Sequence, residues 1–595
     1  MSSESINLKL IRNLLLRLLP IQILLAAVGS VNGIVSGLFA SNYVGVKAMT
    51  AVGLYAVVTQ LLTAVNLMLL SGSQIICGQY MGRNKRERCV NIFSVDLLIA
   101  GAFAAVIILA LLATSFFDLT RFAIGDGQVR ALFNTYLLGQ AVGVLPLMLG
   151  QQLAVFLSLE NKPRLTTAAS LAFIVVNLIF NYLFVVVLDL GAFGLALASS
   201  LGLWVFFLVQ AFHFASGKGL FHFSLRGCRR ADAGEILKIG LPGSLSQGYQ
   251  TIRRIIVNGL VITFVGSIGL SAFAAVDTLL GIFWAVPNGM LAVSRMMMSI
   301  SIGEEDRRTL TDVMRVMFVI FLPIMIIIVL AISASAVPLT HLFYHDPSSS
   351  VFRMTVWGFR ILPLCMPLSM IYMHFVCYGQ ESGKQLLVHI LSALDGVICV
   401  AGFSALLVPV IGIRGVYLAN ILNGVVTTVV IIGYAWLKNR HLPRNMEELM
   451  VLPDDFGVPE ERRIDLTLEK MQDIVLVSET IQSFCTQQGI DQRRAMLAGL
   501  CMEEMAGNVV EHGFTKDRKK HFVDVRVSCK EGDAILLIRD DCVQFDPIDR
   551  LNIDSARPSG EEDPARNIGI RMVTGMAKEV AYQTILGLNV LRMRI

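Results

Sequence analysis

The first 438 residues contain an internal repeat of one unit. When the chain is shifted by 221 residues against itself, glycines, prolines and charged residues recur without a gap. The matching pairs include Gly45/Gly266, Ala51/Ala272, Gly82/Gly303, Arg86/Arg307, Pro146/Pro367, Glu160/Glu381, Gly191/Gly412 and Gly194/Gly415. Matches that share a single offset indicate a duplicated structural unit. The chain therefore has two related halves, 1–220 and 221–437, followed by a segment of a different kind.

Both halves are more apolar than a water-soluble protein. Hydrophobic residues make up 55% of the whole chain, although the last segment dilutes them. A stretch of about 20 apolar residues is long enough to cross a bilayer as a helix. This criterion predicts twelve membrane helices, six in each half, at 19–40, 49–77, 93–116, 133–158, 166–188, 192–215, 240–264, 268–300, 312–336, 352–378, 385–408 and 413–437. The first runs on into the repeat, so we expect a retained helix and not a cleaved signal peptide.

Lysine and arginine residues collect in alternate loops between the predicted helices. Basic clusters at 83–88, 226–238 and 307–315 lie on one side, and the opposite loops hold few basic residues. Because basic loops face the cytoplasm, this bias predicts that both termini are cytoplasmic. The net charge of +5 follows from this topology and gives no sign of a nucleic-acid partner. The ten cysteines form no C-x-x-C pair, which argues against a zinc site or a disulfide framework.

The loop motifs of the repeat carry a family resemblance. Val44-Gly45 through Ala51, a long apolar run and Gly82-Arg83-Asn84-Lys85-Arg86 recur as Val265-Gly266 through Ala272 and Gly303-Glu304-Glu305-Asp306-Arg307. Over residues 10–440 this pattern resembles the multidrug and toxic compound extrusion (MATE) family. The resemblance implies an all-α membrane protein of two six-helix lobes around a central cavity. It also implies that small organic, often cationic, compounds leave the cell in exchange for H⁺ or Na⁺, here across the plasma membrane of a prokaryote. Lipid-linked saccharide flippases share the broad fold and are the alternative.

Several charged residues fall inside the predicted membrane helices of the second half. Charges in the hydrocarbon are costly and usually functional. Their repeat partners are uncharged: Arg253 matches Asn32, Arg254 matches Gly33, Asp277 matches Ala56 and Asp395 matches Ile174. Arg253 and Asp277 lie at similar distances from the turn at Gly266, at about 1.5 Å per residue. We therefore expect an ion pair of Asp277 with Arg253 or Arg254, either structural or exchanged during transport, and we expect a proton relay or a merely buried carboxyl at Asp395. Asp96, nearer a helix end, is expected to be interfacial.

The chain departs from the family pattern at two positions. Many members place an aspartate in the first helix, about where Asn32 stands, and some place a glutamate in helix seven eight residues after a proline. That second position, after Pro242, holds Gln250. Both coupling positions that the resemblance implies are therefore uncharged, and the sequence does not distinguish H⁺ from Na⁺.

A linker, 438–462, and a globular segment, 463–595, follow the repeat. Charged residues and prolines predict that the linker is exposed. The globular segment is long enough for one core. Its pattern predicts a strand (464–468), two helices (469–488 and 491–512), two strands (521–530 and 533–540), a loop, a helix (568–579) and two strands (580–586 and 589–595). We expect an α/β sandwich in which helices cover a mixed sheet.

Four segments of this domain, in order, resemble GHKL ATPases of the anti-sigma-factor serine kinase branch. They are 503–513 with Glu504 and Asn508, Asp540-Asp541-Cys542 through Pro547, Asn567-Ile568-Gly569-Ile570-Arg571 and 587–594. The resemblance implies that Asn508 holds Mg²⁺, that Glu504 is a general base toward a serine hydroxyl, that Asp540 receives the adenine amino group and that Gly569 approaches the phosphates. Cys542 and Asn567 replace glycines of the family, which leaves an ATP-free docking module open.

The two parts allow two readings of the whole protein. One is a transporter regulated by its cytoplasmic domain, through nucleotide or a phosphorylatable partner of the STAS (anti-anti-sigma) or sigma-factor type. The other is a membrane-anchored serine-kinase-like sensor whose membrane part binds a ligand without moving it. The complete repeat favours transport. The chain has no P-loop, G-x-x-x-x-G-K-[ST], so we do not expect ATP to drive transport directly.

Overall fold

The computed structural model describes most of the chain after residue 52. The described ranges are 53–83, 85–122, 127–160, 162–217, 219–224, 226–468, 472–513, 523–530, 532–542, 568–585 and 588–595, with 18–24 and a few single positions outside them. Among these residues, ten helices are long and apolar enough to cross a membrane. This supports a multi-pass membrane protein.

The membrane part consists of two groups of long helices. Lobe 1 contains α1 (Ala56–Gly82), α2 (Arg86–Phe116), α3 (Gly127–Leu159), α4 (Pro163–Asn181) and α5 (Gly191–Ala215). Lobe 2 contains α6 (Arg230–Phe264), α7 (Ser267–Phe283), α8 (Ala285–Gly303), α9 (Arg307–Val316), α10 (Leu322–Ala334), α11 (Ala336–His341), α12 (Ser350–Ile361), α13 (Cys365–Glu381), α14 (Gln385–Ala393), α15 (Cys399–Ile411) and α16 (Arg414–Asn439). Short 3₁₀ or π segments join several of these helices into single spans.

The observed helices match the predicted spans closely. Eleven of the twelve predictions correspond to helices or joined helix pairs, and the first, 19–40, lies mostly outside the described residues, of which 18–24 are helical. Predicted helix seven, 240–264, is part of the longer α6, which begins at Arg230. Its first turns contain Arg230, Asp232 and Lys238. Because the prediction looked only for apolar stretches, these charged residues were not recognised as part of the helix.

The carboxy-terminal domain has helices on one face of a five-stranded sheet. Its elements are β1 (Arg463–Leu468), α18 (Asp473–Gln487), α19 (Gln492–Gly513), β2 (Val523–Lys530), β3 (Asp533–Asp540), α20 (Ile568–Met576), β4 (Glu579–Ile585) and β5 (Leu588–Arg594). The strand order is β1-β2-β3-β5-β4, and every pairing is antiparallel. The prediction of a mixed sheet is therefore wrong, because β5 of the terminal hairpin, and not β4, pairs with β3.

The core of this domain lies between the sheet and its helices. Side chains alternate between the two faces of a strand. On one face, Val523, Val525 and Val527 of β2 are buried in a cluster with residues of α18 and α19, among them Ile481 and Met502. The opposite face, which carries Arg526 and Arg539, does not face solvent but lies against the membrane lobes.

The middle of the linker packs against lobe 2, a contact that the prediction of an exposed linker did not include. It contains a short helix, α17 (Met446–Met450), and Met450 is buried in the cluster of the membrane part. Lys384 donates from Nζ to the carbonyls of Met450 and Val451, at 2.6 and 2.7 Å. Arg307 Nε lies 2.8 Å from a carboxylate oxygen of Glu447. The charged residues that predicted exposure, Lys438, Arg440, Arg444, Asp454 and Asp455, are exposed as expected.

Candidate functional site

Lobe 2 contains a cavity of about 500 Å³. Helices α6, α7, α8 and α13 contribute most of its wall, and lobe 1 contributes Leu67 and Ser71 among the described residues. The ionisable side chains on the wall are Arg253, Arg254, Asp277, Arg295 and Asp395. Its neutral polar side chains are Ser71, Ser246, Gln247, Gln250, Asn288, Ser369, Tyr372, Gln380, Ser392, Asn420 and Asn423. Such a mixture of polar groups inside a membrane protein is typical of a pathway for a polar solute.

The structure brings the predicted transport residues to this one cavity, but not as the predicted ion pair. Arg253, Arg254, Asp277, Asp395 and Gln250 all line it. Arg253 donates from Nη1 to the backbone carbonyl of Asp395 at 3.2 Å. Within the described part of the chain, no ion pair joins Asp277 to either arginine. Asn32 lies outside the described residues.

Asp395 lies where the helix backbone widens. Residues Leu394–Ile398 form a π segment between α14 and α15, and such insertions are frequent at functional sites. The side chain is buried, and Asn423 Nδ2 donates to its Oδ1 at 2.8 Å. The Asp395 carboxylate therefore has an amide partner, Asn423, on α16.

A second polar cluster at the end of the cavity near Gly303 was missed by the sequence reasoning. Arg295 lines the cavity and its buried Nε has no hydrogen-bond partner among the described residues. Cys377, also on the wall, donates from Sγ to Glu381 Oε1 at 3.4 Å. Behind the wall, His374 Nε2 lies 3.0 Å from Ser294 Oγ. The repeat contained a signal for this cluster, because Glu381 matches Glu160, which pairs with His213 at 2.7 Å in lobe 1.

Asp96 is buried in lobe 1. Helix α2 begins at Arg86, seven residues earlier than predicted, so Asp96 lies about 15 Å along it. Its side chain is fully buried and neither carboxylate oxygen has a hydrogen-bond partner among the described residues. Arg86 and Arg88 belong to the helix and not to the preceding loop, which is why the helix begins earlier than predicted.

The two lobes meet tightly at the ends of α1 and α8. A Cβ atom built on Gly82 would lie 2.7 Å from the nitrogen of Glu304, and one on Gly303 would lie 2.7 Å from Cα of Gln79. Gln79 Nε2 also donates to the carbonyl of Glu381 at 3.2 Å. Gly82 and Gly303 are partners in the repeat, so the same glycine of each unit allows this close approach. The cavity is therefore covered at this end.

The carboxy-terminal domain docks on the same end of the molecule. We call its outer sheet surface, formed by Asp465, Arg526, Leu537, Arg539 and Val590, the docking face. Arg539 Nη2 lies 2.5 Å from Glu304 and 3.2 Å from Asp306, and Arg526 also pairs with Asp306. Leu537 and Val590 belong to the hydrophobic cluster of the membrane part. On the lobe 1 side, Arg86 donates to the carbonyl of Tyr582. The domain thus contacts the repeat-equivalent loops of both lobes.

The charges of these two loops are opposite. The loop of lobe 1 reads Arg83-Asn84-Lys85, and its counterpart in lobe 2 reads Glu304-Glu305-Asp306. Burial raises the pKa of Asp306, but Arg526 and Arg539 outweigh it and hold that pKa below its usual range. For Glu304 burial outweighs the attraction of Arg539, so its pKa is raised. The acidic loop is therefore matched to the arginines of the docking face.

The predicted nucleotide residues lie on the other side of the sheet. Asp540 Oδ1 accepts from Asn589 Nδ2 at 2.7 Å and from the Cys542 backbone N–H at 2.9 Å. The Glu504 carboxylate lies beside Gly569, where it occupies the space that a side chain at residue 569 would fill. Asn508 follows Glu504 by one turn on α19. These residues fit a nucleotide with Mg²⁺: a carboxylate at Asp540 can accept from an adenine amino group, and Glu504 and Asn508 supply the oxygens that Mg²⁺ and phosphoryl transfer require.

Two helical lobes around a polar cavity, joined to a domain of this sandwich type, define an integral membrane transporter fold with an appended ATPase-like domain. The model of the MatE family matches residues 23–183 and 242–402, more than half of the chain. The chain belongs to the MatE family. A second model, of the histidine kinase-like ATPase domain, matches residues 440–595. No curated protein matches the chain.

Solved structures of MATE transporters share the fold of the membrane part. One, described as the outward-facing conformation of a multidrug resistance MATE family transporter of the MOP superfamily, has a TM-score of 0.67 and 21% identity, and the match covers 75% of this chain and 98% of that chain. Another, of a MATE protein in the bent conformation, has a TM-score of 0.66 and 21% identity, and the match covers 75% of this chain and 98% of that chain. A third is a MOP superfamily transporter from Pyrococcus furiosus, described as having a binding pocket of reverse polarity. It has a TM-score of 0.66 and 21% identity, and the match covers 74% of this chain and 96% of that chain.

Proposed function

We propose that this protein is a secondary active exporter that moves small organic compounds across the membrane in exchange for H⁺ or Na⁺. The observation that carries the proposal is the charged cavity in lobe 2, which is covered at the Gly82–Gly303 contact. Transporters of duplicated fold bind their solute between or within the repeats and expose it to each side in turn. A cavity that is covered at one end has the geometry of one such state.

The coupling ion would bind at the carboxylates of lobe 2. Gln250 is uncharged at the helix-seven position where the resemblance implies a glutamate, so Asp277 and Asp395 are the remaining cavity carboxylates among the described residues. Asp277 is exposed in the cavity, whereas Asp395 is buried and held by Asn423. We assign ion exchange to Asp277 and a proton-accepting or positioning role to Asp395. Cationic substrates, which the resemblance implies, would meet Asp277 on this wall, although the arginines beside it favour the opposite charge.

The carboxy-terminal domain would regulate the exporter by holding its lobes together. Alternating access requires the covered end of the cavity to open. The domain contacts the loop that follows Gly82 in lobe 1 through the carbonyl of Tyr582, and the loop that follows Gly303 in lobe 2 through the docking face. Opening would therefore have to break contacts with one of the two loops. A docked domain therefore stabilises the state shown by the structure. We expect the loops and the domain to be cytoplasmic, as the distribution of basic residues predicts.

ATP with Mg²⁺ would bind on the helical side of the sheet. Asp540 would accept the adenine amino group, Asn508 would hold Mg²⁺ and Glu504 would accept the proton of a serine hydroxyl. The bound nucleotide supplies the phosphoryl group. The protein substrate of such a kinase would be a STAS-type or sigma-factor-type partner.

Transport by the full-length protein in proteoliposomes tests the proposal. Imposed pH or Na⁺ gradients should drive uptake of an organic dye into inverted vesicles without ATP. Asp277→Asn should abolish the dependence of dye uptake on the ion gradient. Asp118→Asn, on an exposed turn of lobe 1, is a matched control and should leave that dependence unchanged. A protein that binds ATP and phosphorylates a partner but moves no dye under any gradient would support the membrane-anchored sensor instead.

A further inference from the structure

The ionisable groups that face the cavity are unequal in number. Among the described residues, three guanidinium groups, from Arg253, Arg254 and Arg295, face two carboxylates, from Asp277 and Asp395. Charges inside a membrane protein are costly unless an opposite charge or a ligand compensates them. The surplus of positive charge therefore needs a partner.

Lobe 1 does not supply this partner. The sequence contains no aspartate or glutamate between Glu4 and Glu87, so the first helix, most of which lies outside the described residues, adds no carboxylate to the cavity. The lobe 1 residues on the wall that the structure describes, Leu67 and Ser71, are neutral. Asp96 is buried inside lobe 1 and does not line the cavity.

The cavity carboxylates do not neutralise the arginines by direct contact. Arg253 donates to the backbone carbonyl of Asp395, and the carboxylate of Asp395 accepts from Asn423. Among the described residues, Arg295 Nε lacks a partner. Glu381 lies behind the wall near Arg295 but bonds to Cys377 and does not line the cavity. Since a guanidinium carries five N–H donors, each of these arginines retains donors that can face a ligand.

The arginines lie at two depths. Arg295 is eight residues from the end of α8 at Gly303, about 12 Å from the covered end of the cavity. Arg253 and Arg254 are about 15 to 17 Å from the opposite end of α6 at Phe264. A solute that leaves the covered end would pass Arg295 first and the α6 arginines later. Both positions face the same continuous space.

We propose that the transported compounds carry an anionic group, a carboxylate, sulfonate or phosphate, that binds to Arg253, Arg254 and Arg295. The planar guanidinium group matches such oxyanions with paired N–H donors. Trp284, Phe273 and Met373 on the same wall would contact the apolar body of the compound. This inference rests on the proposed export function and names its substrate class.

Binding of two related dyes to the purified full-length protein tests the anionic specificity. Fluorescein and rhodamine 123 share a xanthene ring, but the first is an anion and the second a cation. Fluorescence anisotropy should show that fluorescein binds at least tenfold more tightly. Tighter binding of rhodamine 123 would overturn the proposal.

Substitutions locate the binding groups. Arg254→Gln and Arg295→Gln should each weaken fluorescein binding about tenfold, as expected for the loss of one charge-assisted contact. Arg254→Lys keeps the charge and should bind better than Arg254→Gln, which separates a lost contact from a misfolded protein. Asp277→Asn should strengthen fluorescein binding severalfold because it removes a repelling charge. The matched control is Arg414→Gln, since Arg414 stacks on Trp357 at 4.1 Å and does not line the cavity.

The outcomes also separate this inference from the proposed export. Fluorescein that binds through these arginines but is moved by no ion gradient would refute antiport and leave the anion site standing. A protein that pumps rhodamine 123 while the arginine substitutions leave fluorescein binding unchanged would refute the anion site and leave antiport standing.

Discussion

Arg539 and Asp540 are neighbours on β3, and their side chains leave the sheet on opposite faces. Arg539 pairs with Glu304 and Asp306 of lobe 2, and Asp540 is bound by Asn589 beside the candidate nucleotide site. Because successive residues of a strand alternate, one strand connects the docking face with that site. A displacement of β3 at the docking face would therefore also displace Asp540 at the candidate nucleotide site.

Docking should strengthen ATP binding. The ion pairs of Arg539 hold β3 in place and so position Asp540 in advance, which lowers the ordering cost of binding. We expect Glu304→Gln in the full-length protein to weaken the affinity for Mg²⁺-ATP about fivefold or more, within the range of typical coupling energies. Isothermal titration calorimetry measures the affinity of each protein for Mg²⁺-ATP. The exposed pair of Lys530 with Glu305 provides the control, since Lys530→Gln should leave the affinity unchanged. Equal affinities for all three proteins would show that the two faces are independent.

The buried and exposed ion pairs of the interface should differ strongly in their effect. Arg526 and Asp306 are both less than a tenth exposed, and removal of one partner leaves the other charge buried, at a cost of about 3–5 kcal/mol. Arg526→Gln should therefore release the domain, and limited proteolysis should cut the linker at 438–462 faster. Lys530→Gln breaks a pair whose side chains are 37% and 53% exposed and should change stability by less than about 1 kcal/mol. Unchanged proteolysis of the Arg526 variant would contradict this account of the interface.

The glycine contact between the lobes should be sensitive to a single methyl group. Gly303→Ala places a Cβ within 2.7 Å of Gln79, and such overpacking costs about 1–3 kcal/mol. The substitution should favour opening of the covered end. Cys377, buried on the cavity wall, should then react faster with a maleimide added from that side, as measured by mass spectrometry. Gly101→Ala, where a Cβ meets nothing within 4 Å, should not change the rate. Equal rates would show that Gly303 does not control access.

The nucleotide site can be tested at one carboxylate. Asp540→Asn replaces the oxygen that would accept from adenine with an amide, and we expect it to weaken ATP binding at least tenfold. Asp541→Asn is the control, because Asp541 turns away toward His521 at 3.0 Å. No heat of binding in the unaltered protein would instead support the ATP-free docking module.

Most of the architecture could be predicted from the sequence because it depends on local patterns. Apolar stretches located eleven helices, and the strand pattern of 463–595 agrees with the observed elements to within a few residues. The candidate site was predicted in part. Arg253, Arg254, Asp277 and Asp395 were found as charges inside apolar helices, and they share one cavity. Their partners were not predicted, because a contact between helices depends on rotation and tilt, which helical periodicity does not specify.

The sequence by itself determined the duplication, the membrane helices and the family, since these depend on the order of residues along one chain. Only the tertiary structure decided that Gly82 meets Gly303, that Asp96 is buried and that the linker and the sheet face cover the loops of both lobes. Those contacts join residues far apart in sequence, as with Asp306 and Arg526. The sequence repeat shows that the two loops carry opposite charges. Only the tertiary structure shows that arginines of the carboxy-terminal domain pair with the acidic loop.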